Sequence, residues 1–174
     1  MRLYVEPTQP STAAGEALVD ALAALSRSLV GITVRTLGAL DVELTMSQYR
    51  TLVLLASRGP VRVVDLAAAL HVHPSTVTRT CDRLVRRGLV ARQAGERDRR
   101  VSLLSLTAAG RDLVGEVVRL RTTELRRLVA ATGLRADGGL VASIEALVAA
   151  AGEPDERQWR RHWESSAGTP EAPT

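Results

Sequence analysis

A mainly helical chain carrying one small β ribbon is what this 174-residue sequence predicts, and three observations lead there. Apolar residues recur at helical spacing in an N-terminal segment and in two C-terminal segments. Between them residues 89–94 and 100–106 read as β-like, the second with partial alternation, on either side of the charged tip Gly95-Glu96-Arg97-Asp98-Arg99. Two short helical segments broken by His71-Val72-His73 come directly before that ribbon. The length suits one ordinary domain, and an apolar share of 45% is enough for a core. With aromatics at only 2%, that core must be built from Leu, Val and Ala.

Residues 1–12 carry Pro7, Pro10, Ser11 and Thr12 and read as a flexible arm. Leu18, Leu22, Leu25, Leu29 and Ile32 then follow at steps of four, three, four and three, a narrow seam that wants a partner helix from another subunit or from the same chain. Thr45 or Ser47 caps a helix that runs through Ser57 and ends at Arg58-Gly59-Pro60. Val61-Arg62-Val63 alternates like a minimal strand, and residues 65–70 form a short Ala-rich helix. Pro74, suited to a first helical position, opens the next helix, which runs to Arg87 and stops at Gly88. After the ribbon, Thr107 caps a long helix ending near Thr132 at Gly133, and Asp137 starts a last one over residues 140–151. The tail carries Trp159 and Trp163 four residues apart, which could pack back on the protein or mark a partner site; residues 165–174 read as disordered.

Two short helices, a tight turn and a two-stranded ribbon make a winged helix-turn-helix. The expected division is an arm (1–12), an N-terminal dimerisation helix (13–44), the winged unit (45–106), C-terminal dimerisation helices (107–151) and a charged, partly disordered tail (152–174). The second helix of such a unit lies in the DNA major groove. On a helical wheel Val77, Cys81, Leu84 and Val85 turn inwards, whereas Ser75, Thr76, Arg79 and Arg83 turn outwards, with Thr78 and Thr80 at the edges. Hydroxyls and guanidinium groups are the groups that bind phosphates and base edges.

Charge points the same way. All 23 basic residues are Arg, the better residue for bidentate recognition. Residues 71–100 hold eight arginines and three acids, a net +5, while the remaining fifteen basic and sixteen acidic residues net −1. Such a concentrated excess is the footprint of a nucleic-acid partner. No GxGxxG, P-loop, HExxH or GxSxG motif occurs, so no enzyme is expected. One cysteine excludes an internal disulfide framework. Without a signal-like N-terminus or eighteen uninterrupted apolar residues, a soluble cytoplasmic protein is expected. No cofactor or metal is expected either.

From Ser47 to Gly110 the sequence resembles the MarR-type transcriptional regulators. The resemblance is carried by LAAAL (66–70), PSTVTRTCDRLVRRGLV (74–90) and DRRVSLLSLTAAG (98–110), and the flanking helices extend it to residues 13–151. It implies a homodimer on a pseudo-palindromic DNA operator, a repressor more often than an activator, and in many members release by a small, often phenolic, effector. It also implies that Arg100 enters the minor groove, that Asp98 orients it, and that Arg97 and Arg99 lie near phosphates. The chain departs from the pattern at His71, where Gly is usual, at His73, where Ser is usual, and at Val64, where a capping hydroxyl is usual. Oxidant-sensing members carry their cysteine in the first helix, whereas Cys81 lies on the inward face of the reading helix, as a core residue would. Tyr49 fits either an effector pocket beneath the first helix or the core. The alternative functions are a redox- or metal-responsive regulator of the same fold, and a winged-helix protein-interaction module.

Overall fold

The computed structural model describes residues 13–94, 102–134, 137–153 and 159. The expected arm (1–12), the ribbon tip with Arg97, Asp98, Arg99 and Arg100, and the tail beyond Trp159, with Trp163 and residues 165–174, lie outside the described residues. Among the described residues six helices and three strands follow in the order α1 (Ala13–Gly38), α2 (Met46–Arg58), β1 (Val61–Arg62), α3 (Val63–Leu70), α4 (Pro74–Arg86), β2 (Val90–Ala94), β3 (Ser102–Leu106), α5 (Ala108–Thr132) and α6 (Gly138–Ala150). The strands form one antiparallel sheet in the order β1-β3-β2, so β2 is an edge strand. This is the winged helix-turn-helix, with long helices on both flanks.

Local chemistry sets most of the boundaries. Thr45 caps α2 in a reciprocal capping box: Gln48 N–H donates to Thr45 Oγ1 (3.2 Å) and Thr45 N–H to Gln48 Oε1 (2.9 Å). Asp137 Oδ1 accepts from Leu140 N–H at 2.8 Å and opens α6. Two strand boundaries differ from the sequence reading, and the helix ends shift by one or two residues, with α2 ending at Arg58, α4 at Arg86 and α6 spanning Gly138–Ala150. Val63 belongs to α3 rather than to the first strand, because Arg62 stays extended and the Asp65 carboxylate closes back on its guanidinium at 2.7 Å. Leu89 belongs to the turn rather than to β2, because its N–H donates to Leu84 O (3.0 Å) and so finishes α4.

The core lies where α2, α3, α4 and the sheet converge. Leu52, Leu55, Leu66, Val77, Cys81, Leu84, Leu104 and Val114 are its buried members, an aliphatic core as the composition requires. A smaller cluster of Leu37, Tyr49 and Val117 ties α1 and α2 to α5. The predicted seam on α1 divides in two. Ile32 is already buried within its own chain, where the end of α1 packs on α5, so it is not free for a partner. Leu29 and Leu22 are half-buried, and Leu18 (57% exposed) and Leu25 (50%) remain open. By length and composition α1 is also able to cross a membrane, with a mean hydropathy of 1.6. Its last turns are instead embedded in the fold.

A close approach joins the winged unit to α5. Thr107 donates its N–H to Leu89 O (3.2 Å) and its hydroxyl to Gly88 O (2.6 Å), and accepts from Gly110 N–H (3.0 Å). These bonds press the first turn of α5 so close that a Cβ on Gly110 would stand 2.0 Å from Leu89 O. At an open helical position Gly→Ala stabilises by about 1 kcal/mol. Here the opposite sign is expected: Gly110→Ala should destabilise by at least the ~1–3 kcal/mol typical of overpacking. Chemical denaturation measures it, and a stabilised mutant would show that α5 does not rest on Leu89.

Candidate nucleic-acid interface

Helix α4 begins in a turn whose geometry is unusual for its residues. His71 is left-handed (φ 54, ψ 38), the conformation for which glycine is the ordinary choice and which His tolerates better than most. That turn sends the chain back so that Pro74 can open α4. His73 does the work of the expected serine: its Nδ1 accepts from Ser75 N–H at 3.3 Å and lies 2.9 Å from Ser75 Oγ. The caps at both ends of the turn therefore come from residues that depart from the family pattern.

The helix presents two chemically different faces. Val77, Cys81 and Leu84 are buried and Val85 is half-buried. Ser75, Thr76, Arg79 and Arg83 are exposed, and Thr78 and Thr80 are half-buried between the faces. Arg79 and Arg83 stand one turn apart, about 6 Å along the axis, and form no ion pair with the described residues. Thr78 and Thr80 donate their hydroxyls to Pro74 O and Thr76 O, both at 3.0 Å. In this conformation they offer an outside group only lone pairs, which suits a base amino group better than a phosphate.

Other groups differ from their expected places or were not legible as part of the interface. Tyr49 is buried in the cluster with Leu37 and Val117, and Arg121 lies 3.4 Å from its hydroxyl. It is a core residue and does not line either of two open clefts. One of these, about 640 Å³, lies between the end of α1 and the start of α2 and is bordered by Leu37, Leu44, Met46, Gln48 and Arg87. Arg87, at the C-cap of α4, donates to the carbonyl of Glu43 beside that cleft. The other, about 820 Å³, lies between α2, α3 and the chain after α6, where Arg50 pairs with Glu153 and Trp159 is half-buried against the core. Asp82 and Arg92 also form an ion pair, from α4 to β2. The alternation of Val90 and Arg92 along β2 was the available signal: it turns Arg92 towards α4. No group of three or more metal-ligating side chains gathers among the described residues.

Residues 44–102 match the model of the MarR family. The HTH-type transcriptional repressor MdtR of Bacillus subtilis is 36% identical over 115 residues, covering 66% of this chain and 73% of MdtR. The chain belongs to the MarR family. Among solved structures, RV1404 from Mycobacterium tuberculosis is 39% identical with a TM-score of 0.74, covering 81% of this chain and 96% of that one. A mutant of S. aureus MepR bound to an oligodeoxyribonucleotide shares the fold alone, at 21% identity and TM-score 0.56, covering 77% of this chain and 94% of that one. As a MarR-family member the protein is a DNA-binding transcriptional regulator, and the family is one of regulators rather than enzymes.

Cys81 has no solvent exposure. Burial pushes its thiol from 9.0 up to about 11; Asp82 adds to the rise and Arg92 opposes it. The fold thus favours the neutral thiol. The stability this carries is intact below pH 9 and is lost as pH rises towards 11. A neutral, enclosed thiol is a poor nucleophile. Cys81 should therefore resist a disulfide-exchange reagent at pH 7 until denaturant is added, and peroxide should leave DNA binding unchanged. Rapid modification of the native protein would overturn its assignment to the core.

Proposed function

We propose that this protein is a homodimeric repressor that reads a pseudo-palindromic operator with α4 and releases it when a small molecule binds. The observation that carries the reading is the outward face of α4: exposed hydroxyls and guanidinium groups with no ion pair among the described residues. In this reading Ser75, Thr76, Thr78, Arg79 and Arg83 contact bases and phosphates in the major groove. Arg97, Asp98, Arg99 and Arg100 form the wing, with Arg100 in the minor groove, where an arginine senses width through negative potential. A repressor role is supported by the name of the relative MdtR. Action on chromosomal DNA puts the protein in the cytoplasm.

Dimerisation is supported by apolar surface that the chain leaves uncovered. Leu18 and Leu25 on α1, Val129 on α5, and Val141, Ile144 and Leu147 on α6 are exposed, and α6 buries no residue at all. Residues 13–44 and 107–151 then form the dimer and residues 45–106 form the reading head. One helix reads too few base pairs to select a genomic site. Two heads related by a two-fold axis read half-sites about 10 base pairs apart. Effector release is supported by the 640 Å³ cleft, because Arg87 ties it to the end of α4. The enclosed thiol of Cys81 favours this reading over a redox sensor.

Selection of bound duplexes from a random pool tests the reading directly, since a two-fold symmetric site is expected. With that site in hand, Arg79→Ala should weaken it by about 1–3 kcal/mol, the value of one bidentate base contact, and weaken random DNA much less. Equal losses on both duplexes would reduce Arg79 to a phosphate contact. Leu18→Glu with Leu25→Glu should abolish the dimer in light scattering and abolish operator binding while far-ultraviolet circular dichroism stays largely helical, because both side chains are exposed within the chain. A monomer that binds the operator as tightly as the parent would refute the dimer mechanism.

A further inference from the structure

Asp82 is the only acid on α4, a helix that has to approach a polyanion. On electrostatic grounds alone it costs affinity. Its placement supplies a reason. In the sheet, Val90 is paired with Leu106 and Arg92 with Leu104, and both leucines are buried. Cross-strand partners share a face, so Val90 and Arg92 both turn towards the core side, where β2 packs on α4. The hydrophobic contact stops at Val90, which is buried. At the next inward position Arg92 Nη2 reaches across to Asp82 Oδ1 at 2.5 Å.

Among the described residues this is the one ion pair between the reading helix and the ribbon. Both side chains are about two-fifths exposed (39% and 43%), and an ion pair so open to solvent adds little to folding stability. Its effect is directional instead. Strand β2 lies at the sheet edge and, among the described residues, pairs with β3 as its only neighbouring strand, so its angle is set on one side by β3 and on the other by α4.

We infer that Asp82 and Arg92 are a positioning pair, which fixes the angle between α4 and the β2–β3 ribbon and thereby the spacing of the two elements along the DNA. The inference rests on α4 being the DNA-reading helix. The pair makes specific binding depend on a contact that itself reads no base. It also converts a charge that repels phosphate into one that orients the ribbon.

The test compares Asp82→Asn, Arg92→Gln and the exchanged pair Asp82→Arg with Arg92→Asp in the full chain. Affinity for the selected duplex and for a random duplex is measured for each at one salt concentration, together with the melting temperature. The two single variants should each lose roughly tenfold of the preference for the selected duplex, about the value of one lost base contact, with melting nearly unchanged. Asp82→Asn should at the same time bind random DNA as well as the parent or better, because a negative charge has gone. The exchanged pair should recover most of the preference. If Asp82 is only an electrostatic liability, Asp82→Asn will tighten both duplexes equally, and the positioning role is overturned. Unchanged preference in all three variants overturns it as well. A parent protein with no preference for any duplex would instead remove the reading of α4 on which the inference rests.

Discussion

The arrangement of the molecule depends on the contact between the first turn of α5 and the backbone of Gly88 and Leu89. Three elements meet there: α4 has just ended, β2 is about to begin, and α5 starts on top of both. Leu89 supplies two of the bonds. Its N–H closes α4 on Leu84 O, and its carbonyl receives Thr107 N–H. Thr107 then adds Gly88 O as a second anchor through its hydroxyl. Because Gly110 carries no side chain, the first turn of the long helix can lie directly against the Leu89 carbonyl. The first turn of α5 is thereby bonded to the root of the ribbon and the end of α4. This provides a mechanical link between helices that carry uncovered apolar surface and the face that carries uncovered charge.

Charge is sorted among the arginines by pairing. Arg62 is held by Asp65, Arg92 by Asp82 and Arg50 by Glu153. The Arg62–Asp65 contact holds the carboxyl below and the guanidinium above their ordinary values, chiefly through the hydrogen bond between them. Arg79 and Arg83 have no such partner among the described residues and keep their full charge for an outside anion.

What the sequence disclosed follows the range of the interactions concerned. Thr45, Thr107 and Asp137 were readable as caps because a cap needs only three or four residues of context, and Pro74 and Gly133 for the same reason. The division of α4 into an inner and an outer face was readable because it follows from a 3.6-residue period. Whether Ile32 packs within its own chain or against another was not legible, because the end of α1 packs on α5, which begins far later in the chain and has no signature at position 32. Tyr49 was left between pocket and core for the same reason. His73 was legible only as a departure from the usual serine, because the cap it forms uses a ring nitrogen in place of a hydroxyl. The Asp82–Arg92 pair depends on strand register, which a helical wheel does not contain.

Helix α6 has thirteen residues and buries none of them within the chain. A helix of that length is marginal in water on its own, because nucleation is costly and each added residue gains little. Its order has to be supplied by whatever covers Val141, Ile144 and Leu147. If that cover is a second subunit, folding of this segment and assembly are a single equilibrium, and protein concentration acts on it as a ligand would. Newly made chains at low abundance would then hold a preformed reading head with an unformed C-terminal end. Synthesis rate alone would set how much of the pool can grip two half-sites at once.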